Sequence, residues 1–189
     1  MSGFTFELVP QKPAHRRERK RTFRLLAGTA GPYGEVSLRI TTYPEEATLV
    51  AEGLPEASLS HPDAPSGYIP VDARTRLVVG GVTASLTRNR RALRKEDRGI
   101  EIRLGGRSYT YLCGDAGREE LWDSERGPVV RKGAPGANAG ITMLVLPDAD
   151  ATDLSLALIL QGADRLVLTV GGAIISGVMS FLNGSEGNA

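Results

Sequence analysis

One apolar segment, residues 154–182, most constrains what this chain can fold into. Its second part, residues 166–182, is seventeen residues long and contains no charged side chain. Read at helical spacing, the few polar residues of the segment share one sector of the helix, and the other positions are almost all Leu, Val, Ile, Met or Phe. A helix that is apolar on nearly every side has to be enclosed by protein or by a lipid bilayer.

Three structures fit this segment, and the sequence leaves them open. A helix over residues 166–182 would be roughly 26 Å long, close to the lower limit for crossing a hydrocarbon core of about 30 Å. Its length therefore does not separate a buried helix, which we favour, from a tail anchor that starts after Arg165. The third structure is a hairpin followed by a short helix, because leucines alternate at the period of a strand from Leu154 to Leu160.

The composition is that of one soluble domain with an ordinary core. Of the 189 residues, 41% are hydrophobic and 24% are charged. The net charge of +1 gives no general attraction for nucleic acids or membranes, so a site for either has to be a local patch. The single cysteine, Cys113, excludes an intramolecular disulfide. The first residues lack the apolar core of a signal peptide, so we expect a cytoplasmic protein, with peripheral contact at the inner membrane face if it binds lipid.

Most of the chain before this segment has the two-residue periodicity of half-buried strands. Phe4, Phe6 and Leu8 indicate a first strand that stops at Pro10, and Glu35–Thr42 alternates most regularly of all. We count about nine or ten short strands, followed by one candidate helix that Asp150 or Thr152 could cap.

Turn residues indicate how these strands are connected. Three hairpins are predicted where strand-like runs flank short turns, at residues 80–81, 105–106 and 123–127. Residues 54–69 contain several glycines and prolines and are predicted as a long loop, in which His61 would be exposed and inert.

These patterns together predict a mainly β fold. We expect an antiparallel, closed or nearly closed barrel of many short strands, with the hydrophobic C-terminal helix inside it, because closure removes sheet edges and encloses the helix. We assign residues 1–21 to an N-terminal strand and basic arm, and residues 22–182 to a single β-rich domain that includes the apolar segment 152–182. Residues 183–189 are expected to form a disordered tail.

Two Arg-rich segments are the candidate binding residues of this chain. The plainer interpretation of each is a solvated connection, and the functional one is a site for phosphate oxygens, which the planar guanidinium group suits. No aromatic residue interrupts the first segment, so it offers no platform for base stacking. The candidate anion-binding or phospholipid-binding residues are Arg16, Arg17, Arg19, Lys20 and Arg21 in the first segment, and Arg88, Arg90, Arg91, Arg94 and Lys95 in the second.

The sequence offers no catalytic constellation. Neither of the two glycine-rich segments has the Lys-Ser/Thr of a phosphate loop, and no zinc-protease, nucleophile-elbow or CxxC motif is present. Cys113 is interpreted as a small residue at a strand end, and Glu119 and Glu120 fall on opposite faces of a strand. We therefore predict a protein that is not an enzyme, with no catalytic residue, metal site or cofactor.

Residues 108–112 and 120–130 resemble the repeated units of tubby-like barrels, a superfamily that includes tubby proteins, phospholipid scramblases and LURP-one-related proteins. The similar features are the strand Ser-Tyr-Thr-Tyr-Leu, then a strand, a short Asp/Gly turn and a strand ending in Val-Val, and the apolar C-terminal segment from Thr152. The resemblance covers roughly residues 22–182 in outline. It implies a helix threaded through a barrel, and binding of anionic phospholipid head groups or a regulatory role.

We therefore expect a non-enzymatic binding or regulatory module that engages anionic phospholipids or phosphorylated partners through an Arg-rich face. The alternatives are a tail-anchored membrane protein and a nucleic-acid-binding protein that uses the two Arg-rich segments. The oligomeric state is left open.

Overall fold

The computed structural model describes residues 2–42, 44–62, 67–88, 99–114, 118–133 and 140–164. These ranges contain twelve strands, a short helix near the start of the chain and a second helix at the end. The strands are β1 (Phe4–Pro10), β2 (Thr22–Thr29), β3 (Glu35–Thr42), β4 (Glu45–Ala51), β5 (Ala57–Ser60), β6 (Arg76–Val79), β7 (Val82–Arg88), β8 (Ile100–Leu104), β9 (Arg107–Cys113), β10 (Glu119–Asp123), β11 (Gly127–Lys132) and β12 (Ile141–Val145). The helices are α1 (Arg16–Arg21) and α2 (Ala151–Ile159).

The strands form one closed antiparallel barrel, which confirms the expected fold class. Each strand pairs with its neighbours along the chain, and β1 closes the ring by pairing with both β2 and β12. The strand that the sequence grouped with the basic arm is thus part of the barrel wall. In β3 the alternation is as expected, with Val36, Leu38 and Ile40 buried.

The three predicted hairpins are confirmed as β6–β7, β8–β9 and β10–β11. Gly80 and Gly81 have φ angles of 56° and 77°. Two successive residues with positive φ are what a two-residue hairpin turn requires, and glycine adopts them without strain.

The predicted long loop over residues 54–69 is wrong in its first half, where β5 lies. Ala57 and Leu59 are buried, and β5 pairs with β4 on one side and β6 on the other. Two inward-facing residues between prolines and glycines are too few to produce a recognisable strand pattern in the sequence. The segment becomes a strand because it pairs with β4 and β6.

Helix α2 begins at a well-formed cap. The Asp150 carboxylate accepts hydrogen bonds from the backbone N–H groups of Thr152 and Asp153, at 2.9 and 3.0 Å. The Asp153 carboxylate accepts one from the backbone N–H of Asp150 at 2.8 Å. This reciprocal capping box satisfies N–H groups that have no partner within the helix, and it confirms Asp150 as the cap.

The helix lies inside the barrel. It continues as a 3-10 turn, Leu160–Gly162, and every residue from Asp153 to Gly162 is buried. It contacts β4, β5 and β6 on one side and β10 and β11 on the other. The start of the apolar segment is therefore a buried helix over residues 151–162, and the hairpin interpretation is wrong for residues 154–160. Because the barrel encloses the whole circumference, this helix needs no polar face, and its leucines follow no helical period.

The part of the apolar segment that the sequence analysis emphasised, residues 166–182, lies outside the described residues, as does the tail at 183–189. Among the helices that the structure describes, none is long and apolar enough to cross a membrane.

The connections divide between two ends of the barrel, because neighbouring strands run in opposite directions. One end, which we call the α1 end, contains α1 between β1 and β2, together with Arg88, Cys113 and Lys132, the last residues of β7, β9 and β11. At the other end α2 enters the barrel after β12, and we call it the cap end because Asp150 caps the helix there.

Candidate functional site

Helix α1 carries five of the predicted binding residues, and all five are exposed. It consists of Arg, Lys and Glu, which favour helix, and three basic residues lie in its last turn, where they interact favourably with the helix dipole. Its one acidic residue, Glu18, is 3.9 Å from Arg39 Nη1 on β3. The predicted arm between two strands is thus a short cationic helix on the rim of the barrel.

The cations of α1 are not neutralised by neighbouring side chains. Within the described ranges, no carboxylate is within ion-pair distance of Arg16, Arg17, Arg19, Lys20 or Arg21. Arg19 donates a hydrogen bond from Nε to the Pro13 carbonyl at 2.8 Å, which fixes the position of this side chain. The helix therefore presents a dense positive charge to solvent.

The second Arg-rich segment begins at the same end of the barrel. Arg88 is half-buried at the end of β7, and Arg90, Arg91, Arg94 and Lys95 lie outside the described residues. In the closed ring of strands, β7 is on the side opposite β1. Topology thus brings α1 and Arg88 to one end, and places them on opposite sides of its rim.

Two arginines of the cap end, Arg107 and Arg126, are in contrast held in ion pairs. Arg126 lies 2.7 Å from one carboxylate oxygen of Asp153 and 2.8 Å from a carboxylate oxygen of Asp123. Arg107 lies 2.5 Å from Asp150 and 3.6 Å from Asp153. Since the Asp153 side chain is completely buried, these arginines supply the positive charge that a buried carboxylate needs.

The ionisation of these groups follows from their contacts. Burial alone would raise the pKa of Asp123, but the hydrogen bond from Arg126 and two backbone N–H groups outweigh it and lower the pKa to about 2. Burial raises the pKa of Tyr109 to about 12, and the neighbouring Asp153 carboxylate acts in the same direction. The ion pairs at the cap end therefore connect the first turn of α2 to the barrel and have a structural role.

A buried polar cluster that the sequence analysis missed lies between the end of α2 and the α1 end of β9, β10 and β11. It consists of Tyr111, Glu119, Lys132 and Gln161. Lys132 Nζ is 2.6 Å from Glu119 Oε1, and Gln161 Nε2 donates to Glu119 Oε2 at 2.8 Å and to the Tyr111 hydroxyl at 3.0 Å. The Tyr111 hydroxyl also donates to Glu119. The Gln161 carbonyl has no hydrogen-bond partner among the described residues.

The sequence contained a signal for this cluster in the alternation of the strands. Glu119 shares the inward face of β10 with the buried Leu121, and Lys132 shares that of β11 with Val130. Glu120 faces outward, where its carboxylate is 2.6 Å from Arg131 Nε. The prediction that Glu119 and Glu120 lie on opposite faces is confirmed.

Within the described part of the chain, two clefts open at the α1 end. The first has a volume of about 480 Å³ and adjoins the buried polar cluster. It is lined by Leu112, Cys113, Gly114, Arg118, Glu119, Glu120, Arg131 and Lys132. The second has a volume of about 700 Å³ and is lined by Pro44, Glu45, Glu46, Ser60, His61, Pro62, Arg74 and Arg76. Each cleft is lined by acidic and basic side chains in similar numbers, so neither cleft has a strong charge of one sign.

His61 is buried, and its predicted exposure is wrong. Its Nε2 lies 3.1 Å from Asp72 Oδ1, and this contact allows a polar ring to be buried. The backbone N–H of Arg74 and, to a lesser degree, the His61 ring lower the pKa of Asp72. In the described part of the chain Ser60 makes no hydrogen bond to His61, so the nucleophile–base contact of a hydrolytic triad is not formed there.

Among the described residues, no three or more His, Cys, Asp or Glu side chains are grouped so that they could hold a metal ion. No protein-family model matches this sequence, and no curated protein and no solved structure is significantly similar to it. The structure thus defines the class of molecule, a closed antiparallel barrel filled by a helix, and the resemblance to tubby-like barrels stays a prediction.

Proposed function

We propose that this chain is a non-enzymatic binding module that engages anionic phospholipid through the α1 end of its barrel. The observation that carries the proposal is the set of five exposed cations on α1, which have no ion-pair partner among the described residues. A place among the tubby-like barrels belongs to the same proposal.

The distribution of charge supports this choice of end. At the cap end Arg107 and Arg126 are already paired with carboxylates, so forming a contact with a phosphate group there would require breaking an ion pair. On α1 a phosphate group meets cations that have no competing carboxylate among the described residues. Each basic residue near an anionic membrane contributes about 1 kcal/mol of attraction.

The filled interior also supports binding at the surface. Leu154, Leu156 and Leu158 on α2 are completely buried inside the barrel, and the strands pack around them. Many barrels bind a small ligand in an internal cavity, but here the helix occupies that space.

The proposal is tested by sedimentation with lipid vesicles. We expect the protein to bind vesicles that contain phosphatidylserine, to bind neutral phosphatidylcholine vesicles far more weakly, and to be released in roughly 0.5 M salt, where charges are screened beyond a few Å. Replacement of Arg17 by Gln should weaken binding to the anionic vesicles about fivefold, which corresponds to the loss of about 1 kcal/mol.

Arg103→Gln is the matched control, because Arg103 is an exposed arginine on β8 near the cap end. It should leave vesicle binding unchanged. The variant with Gln at positions 16, 17, 20 and 21 keeps Arg19 and its hydrogen bond to Pro13, and Gln favours helix about as well as Arg. Equal binding of this variant and the unmodified protein to anionic vesicles would refute the proposal. Salt-sensitive binding to single-stranded DNA without binding to vesicles would favour the nucleic-acid alternative.

A further inference from the structure

An exposed aromatic residue lies directly beside the cationic helix. Phe23 follows Arg21 by two residues, so their Cα atoms are at most roughly 7 Å apart. Its side chain is 48% exposed, more than that of Trp122, the other aromatic residue among the exposed large apolar side chains of the described ranges.

A β-bulge holds Phe23 in this position. Thr22 pairs with Thr41 and Arg24 pairs with Ile40, two successive residues of β3, so Phe23 is the extra residue of β2 and has no partner on β3. The buried Leu26 lies three residues further along β2, so the alternation of the strand places Phe23 on the outward face. The bulge in addition leaves Phe23 without a directly opposite residue on β3.

The ring is also fixed by its neighbours on the α1 end. Phe23 contacts Tyr68 edge to face, with ring centroids 5.3 Å apart. The Tyr68 hydroxyl in turn accepts a hydrogen bond from Arg24 Nη1 at 3.1 Å. Phe23 is thus held from one side by a second aromatic ring while almost half of it faces solvent.

We propose that Phe23 inserts into the interface of an anionic bilayer when α1 contacts the lipid head groups. The inference rests on the proposed function and specifies its ligand, a bilayer surface instead of a soluble phosphate. Surfaces that bind anionic membranes combine basic residues with an adjacent aromatic or aliphatic group that enters the boundary between head groups and acyl chains. The basic helix supplies the first part of that pair and Phe23 supplies the second.

A nucleic acid is a less suitable occupant of this surface. Single-stranded nucleic acids bind in grooves where several aromatic side chains stack on successive bases. Here the cations occupy one helix of six residues, roughly 9 Å long, and among the described residues one strongly exposed ring, that of Phe23, lies beside it. This arrangement fits a flat anionic surface better than a strand that needs a track of contacts.

The first test compares Phe23→Ala with Val50→Ala. Val50 is 58% exposed on β4, toward the cap end, so its replacement also removes exposed apolar surface. We expect Phe23→Ala to weaken binding to phosphatidylserine vesicles about tenfold, the effect of removing one aromatic side chain from an apolar environment. Val50→Ala should have no effect. Neither substitution should change the binding of inositol hexakisphosphate, a soluble polyanion that has no acyl chains.

The second test locates the residue in the bilayer directly. The chain has one tryptophan, Trp122, which is on β10 toward the cap end. In the variant Phe23→Trp/Trp122→Phe, lipids brominated on their acyl chains should quench the fluorescence of the new tryptophan. In the unmodified protein they should leave Trp122 unquenched. Thermal unfolding of each variant verifies that it is folded.

The outcomes separate this inference from the proposed function. If Phe23→Ala binds anionic vesicles as well as the unmodified protein and position 23 is not quenched, insertion is refuted, although binding through α1 stands. If the unmodified protein does not bind anionic vesicles, both are refuted. If Phe23→Ala weakens binding to single-stranded DNA and leaves vesicle binding unchanged, Phe23 stacks on bases and the bilayer is the wrong ligand.

Discussion

Asp123 and Arg126 illustrate how single residues secure the helix inside the barrel. Asp123 lies at the end of β10 and accepts hydrogen bonds from the backbone N–H groups of Glu125 and Arg126 at 2.9 and 3.0 Å. Arg126 then connects Asp123 to Asp153 in the first turn of α2. Arg126 therefore connects the turn between β10 and β11 to helix α2 inside the barrel.

This arrangement predicts a loss of stability in acid. The pKa of Asp123 is lowered to about 2 in the folded protein, against about 3.9 in an unfolded chain. A carboxyl group with a lowered pKa stabilises the fold above its unfolded pKa, and that contribution disappears as the pH falls toward its folded pKa. We expect Asp123 to contribute on the order of 2 kcal/mol that is lost between about pH 4 and pH 2.

The measurement is the free energy of unfolding in urea across that pH range, for the unmodified protein and for Asp123→Asn. The Asn side chain retains an oxygen that can accept the two backbone hydrogen bonds, so the variant removes mainly the titrating charge. Its stability should depend less on pH. Parallel curves for the two proteins would show that other carboxyl groups control the acid transition.

Some of these residue contacts could be predicted from the sequence. Asp150 was one of two predicted caps, with Thr152, because an Asp or Thr before an apolar run is a local signal. The contacts of Arg126 with Asp153 and of Lys132 with Glu119 were not predicted, because these partners lie 27 and 13 residues apart in the chain. The inward direction of Glu119 followed from alternation, but a charge on an inward position is acceptable only when the fold supplies a partner such as Lys132.

At the scale of elements, α2 shows how an environment can remove the usual signal of a helix. A surface helix reveals itself by a polar face, but α2 is surrounded by strands and has no such face. Its leucines at alternate positions fitted a strand equally well. The possible cap at Asp150 or Thr152 was the more reliable indicator, because capping depends on the backbone of the helix and not on its surroundings.

The packing of α2 predicts a large effect for one substitution. Leu158 is completely buried in the interior of the barrel. Leu158→Ala should lower the free energy of unfolding by about 3 kcal/mol, since it removes apolar contacts and leaves a cavity that the closed wall cannot fill. Urea denaturation measures this change. Val50→Ala, at an exposed position on β4, should cost less than about 1 kcal/mol. Similar losses for the two variants would mean that α2 is not packed as described.

The whole molecule consists of a closed barrel wall of twelve strands with helix α2 inside it. Its two ends differ in charge, because the α1 end has exposed cations and the cap end has ion pairs. Closure leaves no unpaired strand edge, since β1 is paired on both sides. The inward residues of the strands then need an apolar partner, and α2 supplies it. The wall and the helix are therefore expected to fold as one cooperative unit.

This dependence predicts the effect of a truncation. A chain that stops after Pro147 has all twelve strands but lacks α2, so the inward leucines and isoleucines of the wall face an empty interior. We expect it to lose cooperative thermal unfolding and to bind the hydrophobic dye ANS, which the full chain should not bind. A truncated chain with a sharp thermal transition and no dye binding would show that the barrel wall is stable without the helix.

The sequence by itself determined the properties that depend on near neighbours in the chain. Alternation determined the strands and their inward faces, glycine pairs determined the tight turns, and Asp150 determined where α2 begins, because each of these acts over a few residues. The tertiary structure alone decided what depends on distant residues. Segment β5 is a strand because it pairs with β4 and β6. The order of strands in the ring places α1 and Arg88 at one end of the barrel but on opposite sides of it. The closed barrel encloses an interior in which an apolar segment is buried. These features follow from how strands are arranged in space, which no local pattern specifies.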